Sequence, residues 1–183
     1  MSTVQIISDT STLYSPAEGR EKGILISPLS VHIGEESYKE FEEIRPLEFI
    51  DKIRDGGEPR SSQPAIGDIL AHYRNCLGRP VINISMADGL SGTYQSALGA
   101  RDISEQPENI TVINSGTLCG PHRYLVNKAA ALAGQGLGVA EILAGLKPSL
   151  ERHKSYLIPQ DFDFLKRGGR LDPWAASLGS LLK

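Results

Sequence analysis

With 183 residues, 40% of them hydrophobic and 22% charged, the chain has room for one generous domain, or one domain plus part of another, around a substantial core. A net charge of −3, with no basic cluster carrying interleaved aromatics, gives no electrostatic case for nucleic acid or an anionic membrane surface. Two cysteines, a start at Met1–Asp9 without a basic leader, and the lack of any apolar run of about 18 residues point to a reducing cytoplasm rather than a secreted or membrane-spanning protein.

Val4–Ser8 reads as a first strand, and Gly23–Ser27 with Ser30–Ile33 as a second, broken by Pro28. A helix follows from Pro46 to Asp55, with Leu47, Ile50 and Ile53 on one side and Gly56-Gly57 ending it. The next helix starts near Pro64 and carries Ile66, Ile69, Leu70 and Tyr73 inward. Val81–Ser85 is a strand, residues 92–102 a helix, Ile110–Asn114 a strand and His122–Ala133 a helix. Gly134–Gly138 is a turn, and Val139–Leu146 is helical, with Pro148 interrupting or restarting that helix. Tyr156–Gln160 reads as a strand, Phe162–Lys166 as a short helical turn and Pro173–Leu182 as a helix.

Strands alternating with helices imply an α/β fold: a mainly parallel sheet with helices on both faces, here over residues 1–155, followed by the beginning of a second α/β domain at 156–183. Ligands of such sheets gather beyond the carboxyl ends of the strands. Asp88-Gly-Leu-Ser-Gly-Thr-Tyr-Gln-Ser-Ala97 sits at such an end, between the strand that closes at Ser85 and the next helix.

Three chemistries compete for that stretch. A nucleophile elbow needs Gly-x-Ser-x-Gly, whereas Gly92 comes one place early and Thr93 fills the required spot. A hydrolase or phosphotransferase using Ser91 or His122 is the alternative this leaves open. Phosphate-binding motifs fare no better, because Gly134-x-Gly136-x-Gly138 has Val139 where the last glycine belongs and follows a helix. His32, His72, His122 and His153 are scattered without metal-ligand spacing, so no metal or cofactor is expected. The third chemistry is an anion clasp. Ser91 precedes a helix, and so do the hydroxyls of Arg60-Ser61-Ser62-Gln63-Pro64, so two loops can grip one carboxylate between them. The plainer alternative is that these serines only cap helices. The sequons at Asn83 and Asn109 are read as accidental without a secretory signal.

Taken together, Ser61-Ser-Gln-Pro64, Gly89-Leu-Ser-Gly-Thr-Tyr-Gln-Ser-Ala97 and Phe164-Leu-Lys-Arg-Gly-Gly-Arg170 resemble the DegV family of bacterial fatty-acid-binding proteins. Asp9-Thr-Ser-Thr12, Ser27-Pro-Leu-Ser-Val31 and Gly179-Ser-Leu-Leu182 fit the same pattern. The resemblance implies a two-domain α/β protein that buries a long-chain fatty acid and holds its carboxylate with hydroxyls. Carried over, those are Ser61 and Ser91, supported by Ser62, Gly92 and Thr93. It further implies a cytoplasmic, non-catalytic carrier that presents the carboxylate to the catalytic subunit of a fatty acid kinase. That separate ATP-dependent enzyme makes the acyl phosphate used in phospholipid synthesis, and transient membrane contact is compatible with such a role. Each buried methylene contributes about 0.8 kcal/mol, so a sixteen-carbon tail supplies roughly 10 kcal/mol before ordering costs.

The departures from the family pattern are specific. Ser61 stands where the family has Thr, keeping the oxygen without the methyl. Asn114-Ser115 replaces an Asp-Ser pair. Cys119 is read as buried and inert, with a thiol lining the lipid slot as the sharper alternative. Arg170 is either an anion or kinase contact or part of a structural turn. Family members run on well beyond Lys183, so lipid binding is expected to be weakened or missing in this chain. Trp174, Leu178 and Leu182 are expected to be exposed unless the chain oligomerises.

Overall fold

A computed structural model describes residues 3–158 and 162–170. Contacts divide the chain into two compact units, Met1–His153 and Lys154–Lys183.

The first unit is built on a four-stranded parallel sheet. β1 (Gln5–Asp9), β2 (Ile24–Ser27), β6 (Val81–Ser85) and β7 (Ile110–Asn114) lie in the order β2-β1-β6-β7. Successive strand residues point to opposite faces. Ile6 of β1 and Ile82 of β6 accordingly enter one core, with Leu125, Val126 and Ala129 of α5 (Cys119–Gly134) and Ile142 and Leu146 of α6 (Val139–Arg152). Ile7 and Val81 enter the other, with Ile69 and Tyr73 of α3 (Ile66–Arg74) and Ala97 and Ala100 of α4 (Thr93–Asp102). The parallel sheet therefore carries helices on both faces, as the alternation of elements requires.

α1 (Pro16–Glu21) is capped by Ser15, whose hydroxyl accepts from the Glu18 amide while the Glu18 carboxylate accepts from the Ser15 amide. It approaches β2 so closely that a Cβ at Gly19 would lie 2.5 Å from Ile26 Cγ1 and 2.9 Å from the Ile24 carbonyl. Only glycine fits there.

Pro28 does more than break a strand. Ile24–Ser27 belongs to the parallel sheet, and Ser30–Ile33 (β3) starts a second, antiparallel one with β4 (Glu36–Lys39) and β5 (Pro59–Ser62), in the order β4-β3-β5. Between β4 and β5 runs α2 (Pro46–Arg54), which has an apolar side but no buried residue, Leu47 and Ile50 both being exposed. The side shared by Leu47, Ile50 and Ile53 is therefore not packed into either core.

α6 runs through Pro148 without a break, although the proline lacks the N–H that would bond the Ala144 carbonyl. Tyr156–Ile158 has no regular structure where a strand was expected, and the rest of that strand, like the helix Pro173–Leu182, lies outside the described residues. The residues Trp174, Leu178, Gly179 and Leu182 lie outside them as well. In the second unit, α7 (Phe162–Arg167) occupies the position of the predicted helical turn. Among the described residues no helix is long and apolar enough to cross a membrane.

Candidate functional site

The carboxyl ends of β1, β6 and β7 are tied together by side chains that the sequence offers just where each strand stops. The buried Asp9 carboxylate accepts from the Ser11 amide through Oδ1 (2.9 Å) and from the Met86 amide through Oδ2 (3.0 Å), fastening the loop after β1 to the loop after β6. The Asn114 side-chain oxygen accepts from the amides of Asp88 (3.1 Å) and Gly116 (2.9 Å). The residue that departs from the family's Asp thus holds the 88–92 turn against the end of β7 as a neutral acceptor.

His122 of α5 is fully buried below this junction. Its Nε2 faces two acceptors. One is the Ile84 carbonyl at 3.1 Å, and the other is Ser8 Oγ at 3.2 Å, whose own proton goes to the same carbonyl. The proton therefore sits on Nε2, and Nδ1 accepts from the Ser11 hydroxyl at 2.8 Å. Ser91, the other residue named for the hydrolase or phosphotransferase alternative, bonds to Thr93, whose hydroxyl lies at 2.8 Å and whose amide donates at 3.3 Å. No hydrogen bond joins Ser91 to His122 among the described residues.

Beside the junction lies a cavity of about 390 Å³, within the range of about 300–1,000 Å³ usual for small-molecule sites. Its walls are mostly apolar. Leu13, Met86 and Leu118 come from the three loops, Leu29 from the link before β3 and Val31 from β3 itself, and Phe41, Ile44, Phe49 and Ile50 from the segment that includes α2. All of these belong to the first unit. Leu13 and Phe41 have φ of +64° and +65°, a left-handed backbone that costs a side-chain-bearing residue about 1–2 kcal/mol. Both of these strained, large apolar residues line the cavity.

Three polar side chains, Thr10, Ser11 and Glu40, interrupt the apolar wall, with Arg45 also on it. The Thr10 hydroxyl donates to Glu40 Oε2 and accepts from the Leu29 amide (3.0 Å). Burial pushes the Glu40 carboxyl above the usual carboxylate range. The hydrogen bond from Thr10 opposes that rise and the charge of Asp9 adds to it. None of these residues was singled out as a contact from sequence. The cue available was the Asp-Thr-Ser-Thr run at the end of β1.

None of the residues singled out from sequence is among those lining this cavity. Ser61 is not at a helix start. It belongs to β5, and α3 begins only at Ile66, because the Pro59–Ser62 segment pairs with β3. Ser61 opposes Val31 in that ladder, and directly opposed residues of an antiparallel pair share one face of the sheet. Ser61 is exposed, on the face whose Val31 borders the cavity. Ser62, on the opposite face, hydrogen-bonds His32 Nε2 at 3.0 Å.

Ser91 and Thr93 are buried at the start of α4. The two serine-bearing segments meet at Gln63 and Gly92, where a Cβ on the glycine would lie 3.1 Å from the Gln63 side chain.

Cys119 is exposed, not buried, because it occupies the exposed first turn of α5; burial of its sulfur still raises the thiol pKa, and it is not among the residues lining the cavity. In the second unit, the Arg170 amide bonds the Leu165 carbonyl and its guanidinium donates to the Gly168 carbonyl, closing the C-terminal end of α7.

The profile of the DegV family, described as an uncharacterised protein family, matches residues 3–183. A DegV domain-containing protein of Halalkalibacterium halodurans is 34% identical over 100% of this chain and 66% of its own length. The crystal structure of DegV from Bacillus subtilis, a fatty acid binding protein, superposes with a TM-score of 0.85 at 30% identity, covering 100% of this chain and 66% of that one. A DegV family protein from Thermus thermophilus described for its fatty acid binding gives 0.83 at 29% identity, covering 100% and 65%. The chain thus spans slightly less than two thirds of the length of these relatives.

Proposed function

The chain belongs to the DegV family, and from that premise we propose that it binds one long-chain fatty acid, with the tail in the cavity beside α2 and the carboxylate between the Ser61 and Ser91 segments. The observation that supports this reading is that Ser61 shares a sheet face with Val31, which lines an apolar space of about 390 Å³. A tail supplies affinity through buried methylenes, and the head group needs only a few well-aimed donors, since O–H···O⁻ bonds are among the stronger ones. Ser91 and Thr93, already bonded to each other, offer a second pair of hydroxyls, and Gly92 leaves the Gln63 side chain room beside them.

The protein in this reading performs no chemistry on the acyl group. It holds the carboxylate for a separate, cytoplasmic, ATP-dependent kinase that converts it to an acyl phosphate, with Arg170 as a contact for that partner. Support for the kinase step comes from the family resemblance. Because every residue lining the cavity comes from the first unit, binding by this chain replaces the expectation that it is weakened or missing, and delipidated protein titrated with palmitate tests it. Saturable binding that falls about tenfold or more in Ser91→Ala supports the reading, and the absence of binding, or binding indifferent to Ser61 and Ser91, refutes it.

A further inference from the structure

The carboxyl of Glu40 stands in a mostly apolar wall, whose other polar side chains are Thr10, Ser11 and Arg45. One of its oxygens is taken by the Thr10 hydroxyl, and Oε1 makes no hydrogen bond among the described residues. Thr10 has its proton committed to Glu40 and accepts from the Leu29 amide, so it keeps only a lone pair. Ser11, next to it on the same wall, has its proton committed to His122 Nδ1 and keeps only lone pairs for a ligand. The unfilled capacity of this polar group is therefore acceptor capacity. A plain hydrocarbon tail lying against it leaves a buried carboxylate oxygen desolvated and unpaired, which is costly. A chain carrying an O–H at that level satisfies it, whereas a carbonyl presents a second acceptor and does not.

We propose that Glu40, supported by Thr10 and Ser11, forms a subsite for a hydroxyl on the acyl chain, so that the cavity selects mid-chain hydroxylated long-chain fatty acids over plain or oxo-substituted ones. The inference rests on the reading that a fatty acid occupies this cavity, and it goes beyond that reading by naming the substrate class and the residue that selects it.

The test titrates the delipidated full chain, at about pH 8, above the ordinary carboxylate range, with stearic acid, stearic acid bearing a mid-chain hydroxyl, and its mid-chain oxo counterpart. The expected result is about tenfold tighter binding of the hydroxy acid than of either other acid. Glu40→Leu abolishes the preference and tightens the plain acid. Glu40→Gln, which preserves shape, sets an amide donor where Oε1 stood and removes the discrimination against the oxo acid. Equal binding of all three acids by the wild type overturns the subsite and leaves the fatty-acid reading standing. Oxo acid bound as tightly as hydroxy acid, or a preference that survives in both variants, also overturns it. Binding of none of the three overturns both.

Discussion

Ser61 and Val31 sit directly opposite each other in the β3–β5 ladder, and Val31 lines the cavity. This pairing sets a hydroxyl and a hydrocarbon wall on one face of a small sheet. In Ser61→Ala, palmitate affinity is expected to fall about tenfold. Stability is expected to change by no more than about 0.5 kcal/mol, because the residue is exposed. Titration and urea denaturation of the same samples separate the two effects. A loss of stability without a loss of affinity would return Ser61 to a structural role.

Gly92 offers a finer probe. In Gly92→Ala the new methyl meets the Gln63 side chain at 3.1 Å, a contact that a flexible amide can relieve by moving a few tenths of an ångström. The fold is expected to survive, and affinity to fall several-fold because the two serine-bearing segments are pushed apart. Gly92→Val should lose more than Gly92→Ala. Equal affinities across the series would mean that the spacing of the segments is irrelevant to the ligand.

Glu40 ties stability to pH. Burial raises its folded-state pKa above the ordinary 4.5, with the nearby Asp9 charge adding to the rise, while Arg45 lies on the same wall. The group's contribution to stability is therefore fully present below 4.5 and is lost as pH rises through the folded-state value. Glu40→Gln cannot ionise and escapes that loss. Thermal melts across this range should show the variant gaining on the wild type as pH rises. A constant difference, or a gain toward low pH, would contradict the assignment.

Tyr73 supplies a control away from the ligand. Its buried hydroxyl accepts from Asn83 Nδ2 (2.8 Å) and donates to the Ala97 carbonyl (3.2 Å), and burial pushes the phenol up to about 12. Tyr73→Phe takes the acceptor from the Asn83 amide and a second donor from the Ala97 carbonyl, which lies within α4, and should cost about 1–3 kcal/mol in urea denaturation. Tyr73 does not line the cavity, so palmitate affinity should stay unchanged in samples that remain folded.

Much of this arrangement is legible in the residues themselves. The β-branched runs at Val81–Ser85 and Ile110–Asn114, each followed by a helical pattern, place the parallel sheet and mark Ser91 at a strand end. The antiparallel sheet is not legible, because Glu36–Lys39 and Pro59–Ser62 show no apolar alternation and owe their extended form to pairing with β3. That pairing is also why Ser61 lies on a strand instead of before a helix. Glu40 looks like an ordinary surface acid until Thr10, thirty positions away, is brought against it. The apolar side of α2 reads as a core face, yet Phe49 and Ile50 are spent on a cavity wall, and no local pattern distinguishes the two uses.

Photocrosslinking bears most directly on where the tail lies. A long-chain fatty acid carrying a diazirine near the end of its chain is irradiated on the protein, and the adducts are mapped by tandem mass spectrometry. Adducts at Met86, Leu118 or the Phe41–Ile50 segment, suppressed by excess palmitate, are the predicted result. Adducts confined to residues outside that wall, or insensitive to palmitate, would contradict the account.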